Sequence, residues 1–227
     1  MKKYFFILLI ALITTFSFNK NNTTTISVSA NQIVDVDGNK YDTVTIGTQI
    51  WMVENLRTTH YRNGTSIPNV TERPDWNELL TGAYCDYNND TKNVTTNGHL
   101  YNWYAINNPA GLCPAGWHIA TDSEWAVLIT YLGRDSVAGG VMKAIGLTQW
   151  ENPNAWATNS SGFTALPAGY RHANGEFYKL GENSYFWSST ETFSYSACGR
   201  YLSYNSGGID RFIANKESGF SCRCIKD

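Results

Sequence analysis

"LCPAGWHIATDSEWAVL", Leu112–Leu128, decides how the rest of the chain is read. It gathers Cys113, His118, Asp122 and Glu124, the residue types of a thiol hydrolase or a metal site. It also contains a helix start. Thr121-Asp122-Ser123-Glu124 is a capping box, in which Thr121 caps the first turn and Glu124 reaches back to it. Trp125, Leu128, Ile129 and Leu132 follow at i, i+3, i+4 and i+7, a single apolar stripe. Gly133 closes the helix. Asp122 and Glu124 therefore sit at the positive end of a helix dipole and have a structural role before any chemical one.

The chain has 227 residues, enough for one large domain or two small ones. A net charge of −2 and a pI of about 6.1 give no nucleic-acid footprint. With 8 Trp, 14 Tyr and only 16 % charged residues, the composition suits a loop-rich extracellular domain rather than a cytosolic helical enzyme. The N-terminus agrees. "MKKYFFILLIALITTF" places Lys2 and Lys3 before an apolar run from Tyr4 to about Ile13. That run is too short to span a bilayer and fits a secretory signal. Val28-Ser29-Ala30 is an acceptable cleavage site, and no Cys follows the run to carry a lipid anchor. Residues 1–30 read as signal and linker. Residues 31–227 read as one domain without a transmembrane span, secreted, periplasmic or displayed at the cell surface.

"IVDVDGNKYDTVTI" (33–46) places Asp37-Gly38 between β-rich runs, a hairpin signal. Asp35, Asp37 and Asn39 imitate the start of a calcium loop, but the later ligands and the closing Glu are missing, so a plain turn is expected. "RPDWNELLTGAY" (73–84) has room for one short helix. Beyond Gly139 the chain is rich in Gly, Asn, Ser and aromatic residues. "SGFTALPAGYR", "SYFWSST", "GRYLSY" and "GFSCRCI" are its strand candidates. No βαβ alternation or solenoid repeat occurs, so the fold class is α+β with few short helices, short antiparallel strands and long loops. There are five cysteines, an odd number, with no CxxC or CxxH pair, and so no zinc site of the usual spacing. No metal or cofactor is expected.

Several phrases resemble a known family. "DVDGNKYDTVTIGTQIWMVENLRT", "GAYCDYNND", "LYNWYAI", "LCPAGWHIATDSEW", "GFTALPAGYR", "FWSST" and "GFSCRCIKD" are similar, in order, to the Fibrobacter succinogenes major paralogous domain, over about residues 33 to 227. The resemblance implies an exported bacterial protein without an established activity. More widely, "HIATDSEWAVL" resembles the "RLPTEAEWE" phrase of the sulfatase-modifying-factor (formylglycine-generating enzyme) family, and "GRYLSY" and "GFSCRC" its closing strands. That resemblance implies a C-type lectin-like single domain. It also implies a Cys113–Cys224 disulfide closing a loop of roughly a hundred residues, worth on the order of 3–5 kcal/mol. Cys113 then reads as a staple, and His118 as a packed or hydrogen-bonded side chain.

If "GRYLSY" pairs with "GFSCRC", Cys198 and Cys222 form a second bridge and Cys85 is left over. The enzyme family's copper site needs two thiolates five positions apart. Carried over, the partner of Cys198 falls at Phe193, which binds no copper. The segment from Leu180 to Lys216 carries Tyr185, Trp187, Tyr195, Arg200, Tyr201, Tyr204 and Arg211 among Ser, Gly and Asn, a paratope-like mixture. Tyr185, Trp187, Tyr195, Arg200, Tyr204 and Arg211 are the candidate ligand contacts. The competing reading makes the same strands plain scaffold. The function that fits is a non-catalytic binding or adhesion module of the cell surface, its partner a glycan or a protein. The alternatives are a structural envelope protein and a divergent formylglycine-generating-type enzyme.

Overall fold

The computed structural model describes residues 32–227, so the expected leader and cleavage site lie outside the described residues. In chain order, β1 (Ile33–Val34) and β2 (Lys40–Tyr41) form the expected hairpin around Asp37-Gly38, and β3 (Thr43–Ile46) and β4 (Gln49–Met52) a second. Next come α1 (Arg73–Asn77), β5 (Tyr84–Cys85), α2 (Val94–Asn97), β6 (Leu100–Tyr101), α3 (Trp103–Ile106) and β7 (Trp117–Ile119). Helices α4 (Asp122–Tyr131) and α5 (Asp135–Met142) follow. The last part holds β8 (Ala168–Arg171), β9 (Phe177–Leu180), β10 (Asn183–Phe193), β11 (Ser196–Ser203), β12 (Ile209–Asn215) and β13 (Cys224–Lys226). The short helices and mainly antiparallel sheets agree with the α+β class.

The largest sheet has the order β12-β11-β10-β8-β9. Alternation along its strands feeds two cores, because successive side chains point to opposite faces. Phe186 points to the helix side with Leu202 and Ile209, meeting Trp125, Leu128 and Ile129 of α4. Trp187 points the other way, into a core shared with Tyr101, Trp103 and Phe220. Helix α4 starts on the capping box read from sequence: Thr121 accepts from Glu124 N–H, and Glu124 accepts from Thr121 N–H. Its Trp125 packs on Trp51, with ring centroids 4.9 Å apart.

Helix α5 was not expected from "DSVAGGVM", since two glycines weaken a helix. Its glycines serve a close approach instead. A Cβ on Gly139 would lie 1.9 Å from the Gly208 carbonyl oxygen, so only glycine lets the turn before β12 rest on the helix.

A second sheet has the order β3-β4-β13-β7, with β13 between two strands far away in sequence. The Cys113–Cys224 disulfide joins the lead-in of β7 to β13, with the Cα atoms 6.0 Å apart. The proposed pairing of "GRYLSY" with "GFSCRC" does not occur. Strand β11 spends both edges on β10 and β12, and residues 219–221 make single bridges to Arg171, Tyr101 and Phe186. Cys198 and Cys222 accordingly form no bridge. Together with Cys85 they are buried thiols.

Long loops are tied by buried cations. Arg223 is 1 % exposed. It donates to Asn55 Oδ1 at 2.7 Å and to the carbonyls of Met52, Phe163 and Thr164 at 3.0, 2.8 and 3.1 Å. Its guanidinium also lies 4.6 Å from the Phe163 ring centroid. Burial lowers its pKa to about 9, still high enough to keep the charge at neutral pH. Replacing Arg223 by Leu leaves those acceptors dry and unpaired. Thermal denaturation of Arg223→Leu should show a loss of about 3–5 kcal/mol, a fall in Tm of roughly 10 °C. Arg223→Lys should not rescue it, because one ammonium cannot span four acceptors.

Candidate functional site

The six ligand candidates do not form one site. Trp187 is 1 % exposed, and its indole N–H donates to the Tyr101 carbonyl at 2.9 Å, so it belongs to the core. Arg200 is 5 % exposed and faces the helices, where its Nη2 meets Asp122 Oδ1 at 2.7 Å. Arg211 lies opposite Arg200 on β12 and reaches the other Asp122 oxygen at 3.0 Å. Asp122 thus fastens the first turn of α4 to two strands. Tyr195 projects from the β10–β11 hairpin and is 63 % exposed, stacked on Phe193. Arg200 and Arg211 line a depression beside α4, and Tyr185 and Tyr204 share a separate open cleft.

That cleft has a volume of about 460 Å³ and lies at one end of β10, β11 and β12, around the turn between β11 and β12. Tyr185, Tyr201 and Tyr204 line it with Asn183, Asn205 and Asp210. It forms part of a larger feature, a row of aromatic rings with one from each strand. Phe212 on β12 lies 6.2 Å from Tyr201 on β11, centroid to centroid. Tyr201 is 5.5 Å from Tyr185 on β10, and Tyr185 is 4.7 Å from Tyr170 on β8. Tyr170 is 5.6 Å from Tyr178 on β9. Phe220 lies beneath, stacked on Tyr185.

The row is a consequence of register. Tyr185 is directly opposite Tyr201, and Tyr170 directly opposite Tyr178. Such cross-strand aromatic pairs stabilise a sheet by roughly 0.2–1 kcal/mol each. The rings stand packed against one another, and the phenols at the cleft are rigid hydrogen-bonding tips. Burial, aided by Tyr170 and Tyr201, raises the Tyr185 pKa to about 12, which keeps it a donor throughout the physiological range. Sequence reasoning missed Tyr170, Tyr178 and Phe212. For Tyr170 and Tyr178, Asn174-Gly175 between β8 and β9 is a hairpin signal that brings the two together.

The reactive-looking stretch at Leu112–Leu128 is structural. Cys113 is spent in the disulfide. Both nitrogens of His118 are taken by carboxylates, Nδ1 by Asp227 at 2.6 Å and Nε2 by Glu124 at 2.9 Å. Burial opposes the charge on His118, but these partners win and raise its pKa. Glu124 is shifted down: burial opposes, and the Thr121 and His118 hydrogen bonds prevail. Cys198 donates to the Thr190 carbonyl, and burial pushes its thiol pKa up. Asp35 is saturated by its own turn, accepting from Asp37 N–H, Asn39 N–H, the Asn39 amide and the Tyr41 hydroxyl. Among the described residues no group of three or more His, Cys, Asp or Glu is placed to hold a metal ion. No helix among them is long and apolar enough to cross a membrane.

This architecture, a mixed domain whose capped helix is stapled to its final strand, has a counterpart in sequence. The chain belongs to the Fibrobacter succinogenes major domain family, whose sequence model matches residues 44–226. No match is found among curated proteins or among solved structures.

The His118 clamp joins β7, α4 and Asp227, and its pH dependence has a defined sign. Because the folded pKa of His118 is raised, its contribution is fully present below its ordinary value of about 6.5. It is lost as pH rises through the folded value. The Glu124 contribution runs the other way, falling as acid protonates it below about 4.5. Thermal midpoints of the wild type measured between pH 5 and 9 should fall relative to those of His118→Gln as pH rises. Parallel curves would remove the charge from the clamp.

Proposed function

We propose that the chain is an exported, non-catalytic binding module of the bacterial cell surface, built on a C-type lectin-like fold. Its ligand-contacting surface is the tyrosine-bearing face of the large sheet. The observation that carries this reading is the ring row. Five aromatic side chains, one per strand, are held by register on the sheet, and two of them, Tyr185 and Tyr201, line an open cleft beside Tyr204, Asn and Ser. Tyr and Asn in this arrangement give large, adaptable contact at a low entropy cost. The apolar run behind Lys2 and Lys3 supports export. The bond from the lead-in of the capped helix to the final strand supports the lectin-like assignment.

A screen of the purified chain against a glycan array and cell-surface extracts should capture a partner. Tyr201→Ala and Tyr178→Ala should each weaken that capture about tenfold or more if these rings act as hot spots. Arg211→Ala, on the opposite face, should leave it unchanged. Capture unaffected by both tyrosine variants would overturn the assignment of this face.

A further inference from the structure

Trp156 stands out on two independent counts. It is 80 % exposed, and no large apolar side chain among the described residues is more so. Its φ is +63°, in the left-handed region that a bulky L residue adopts only when its surroundings enforce it. Such strain in a solvent-facing side chain is not repaid by burial.

The surroundings that enforce it are explicit. Ala155 N–H donates to the Tyr204 carbonyl at 2.6 Å, and the Ala155 carbonyl accepts from Lys143 Nζ at 2.8 Å. On the other side, Thr158 N–H donates to the Gly140 carbonyl at 2.9 Å. Lys143 also donates to the Ser203 and Ser206 carbonyls at 2.8 Å each, so one buried ammonium fixes both the arm carrying Trp156 and the turn beside it. The indole rests on Gly207, where a Cβ would come within 2.9 Å of Trp156 Cδ1. Gly207 thus seats the ring on one side. The high exposure leaves the rest to solvent.

The turn on which Trp156 rests also walls the tyrosine cleft. Ser203, Tyr204, Asn205 and Ser206 line that cleft, and Gly207 follows directly. The loop from 144 to 165 that carries Trp156 has Glu151 as its one charged residue. The cleft beyond adds Asp210 and the Lys179–Glu182 pair, whose charges meet each other at 2.8 Å; an open indole face beside hydroxyls and amides matches a ligand with an apolar C–H face and a hydroxyl rim. An anion would find no exposed cation on this loop, and an apolar protein side chain would find a polar border. We infer that Trp156 is a stacking platform for a neutral pyranose ring, and that the bound glycan runs from it over the turn into the tyrosine cleft. This rests on the proposed binding role and names the ligand class.

The test uses the full chain and neutral hexasaccharides of β-1,4-linked glucose, xylose, mannose and N-acetylglucosamine, with affinity and thermal midpoint both read. The wild type is expected to bind at least one of them, and Trp156→Ala to lose about tenfold or more in affinity. Gly207→Ala, which displaces the indole without removing it, should weaken binding while the fold stays intact. Trp156→Gly should abolish binding without lowering the midpoint, because it relieves the left-handed strain and gives up little burial. A hexasaccharide bound equally well by Trp156→Ala overturns the platform and leaves the binding role standing. Capture of a protein partner with no hexasaccharide bound overturns the glycan but not the binding role. No partner of any kind removes both. A midpoint several degrees lower in Trp156→Gly would make the indole a packing group and also overturn the platform.

Discussion

One guanidinium holds the halves of this domain together. Arg223 faces no carboxylate at hydrogen-bonding distance and instead binds three main-chain carbonyls and the Asn55 amide oxygen. Met52 belongs to the N-terminal sheet, Phe163 and Thr164 to the long loop after α5, and Arg223 itself to the approach to β13. Burying a charge is costly unless hydrogen bonds replace its hydration. Here dipoles do so, and the same bonds satisfy carbonyls that have no ladder partner.

The device recurs. Arg171 is 1 % exposed and donates to the carbonyls of Val70, Thr71 and Gly175 beneath the Trp76 ring. Lys143 does the same for the carbonyls of Ala155, Ser206 and Ser203, the last at the end of β11. A loop-rich domain has more irregular backbone than its sheets can pair, and long cationic side chains reach where strands do not. The tyrosine cleft and the ring row depend on it indirectly: Lys143 fixes the turn beside the cleft, and Arg171 anchors β8, the strand that carries Tyr170.

What the sequence made legible was local. The capping box of α4, the Asp37-Gly38 turn and the short helix near Trp76 each rest on a few adjacent residues. The Cys113–Cys224 bond followed from family phrasing rather than spacing. What failed was long-range. Strand β11 has two neighbours in sequence that take both its edges, so Cys198 has no route to Cys222. Helix α5 was hidden because its glycines answer to distant segments, Gly139 to Gly208 and Gly140 to Trp156. The ligand candidates were chosen by composition, and period-two alternation then sent Arg200 and Tyr201 to opposite faces. The ring row was half legible: β10 and β11 were read as aromatic, but their union with β8 and β9 is tertiary.

Strand β13 sits in the interior of its sheet, between β4 and β7. A chain made from its N-terminus therefore carries β4 and β7 with open edges until the domain's final strand arrives to fill the gap. Local structure such as α4 can form early, but the N-terminal sheet cannot close as a unit. Contacts of such sequence separation make folding slow. The disulfide has the same constraint, because Cys113 has no Cys224 to pair with until β13 is made. An unfinished chain presents pairing-competent edges rather than a smaller stable core, and whatever handles it before completion must keep those edges apart.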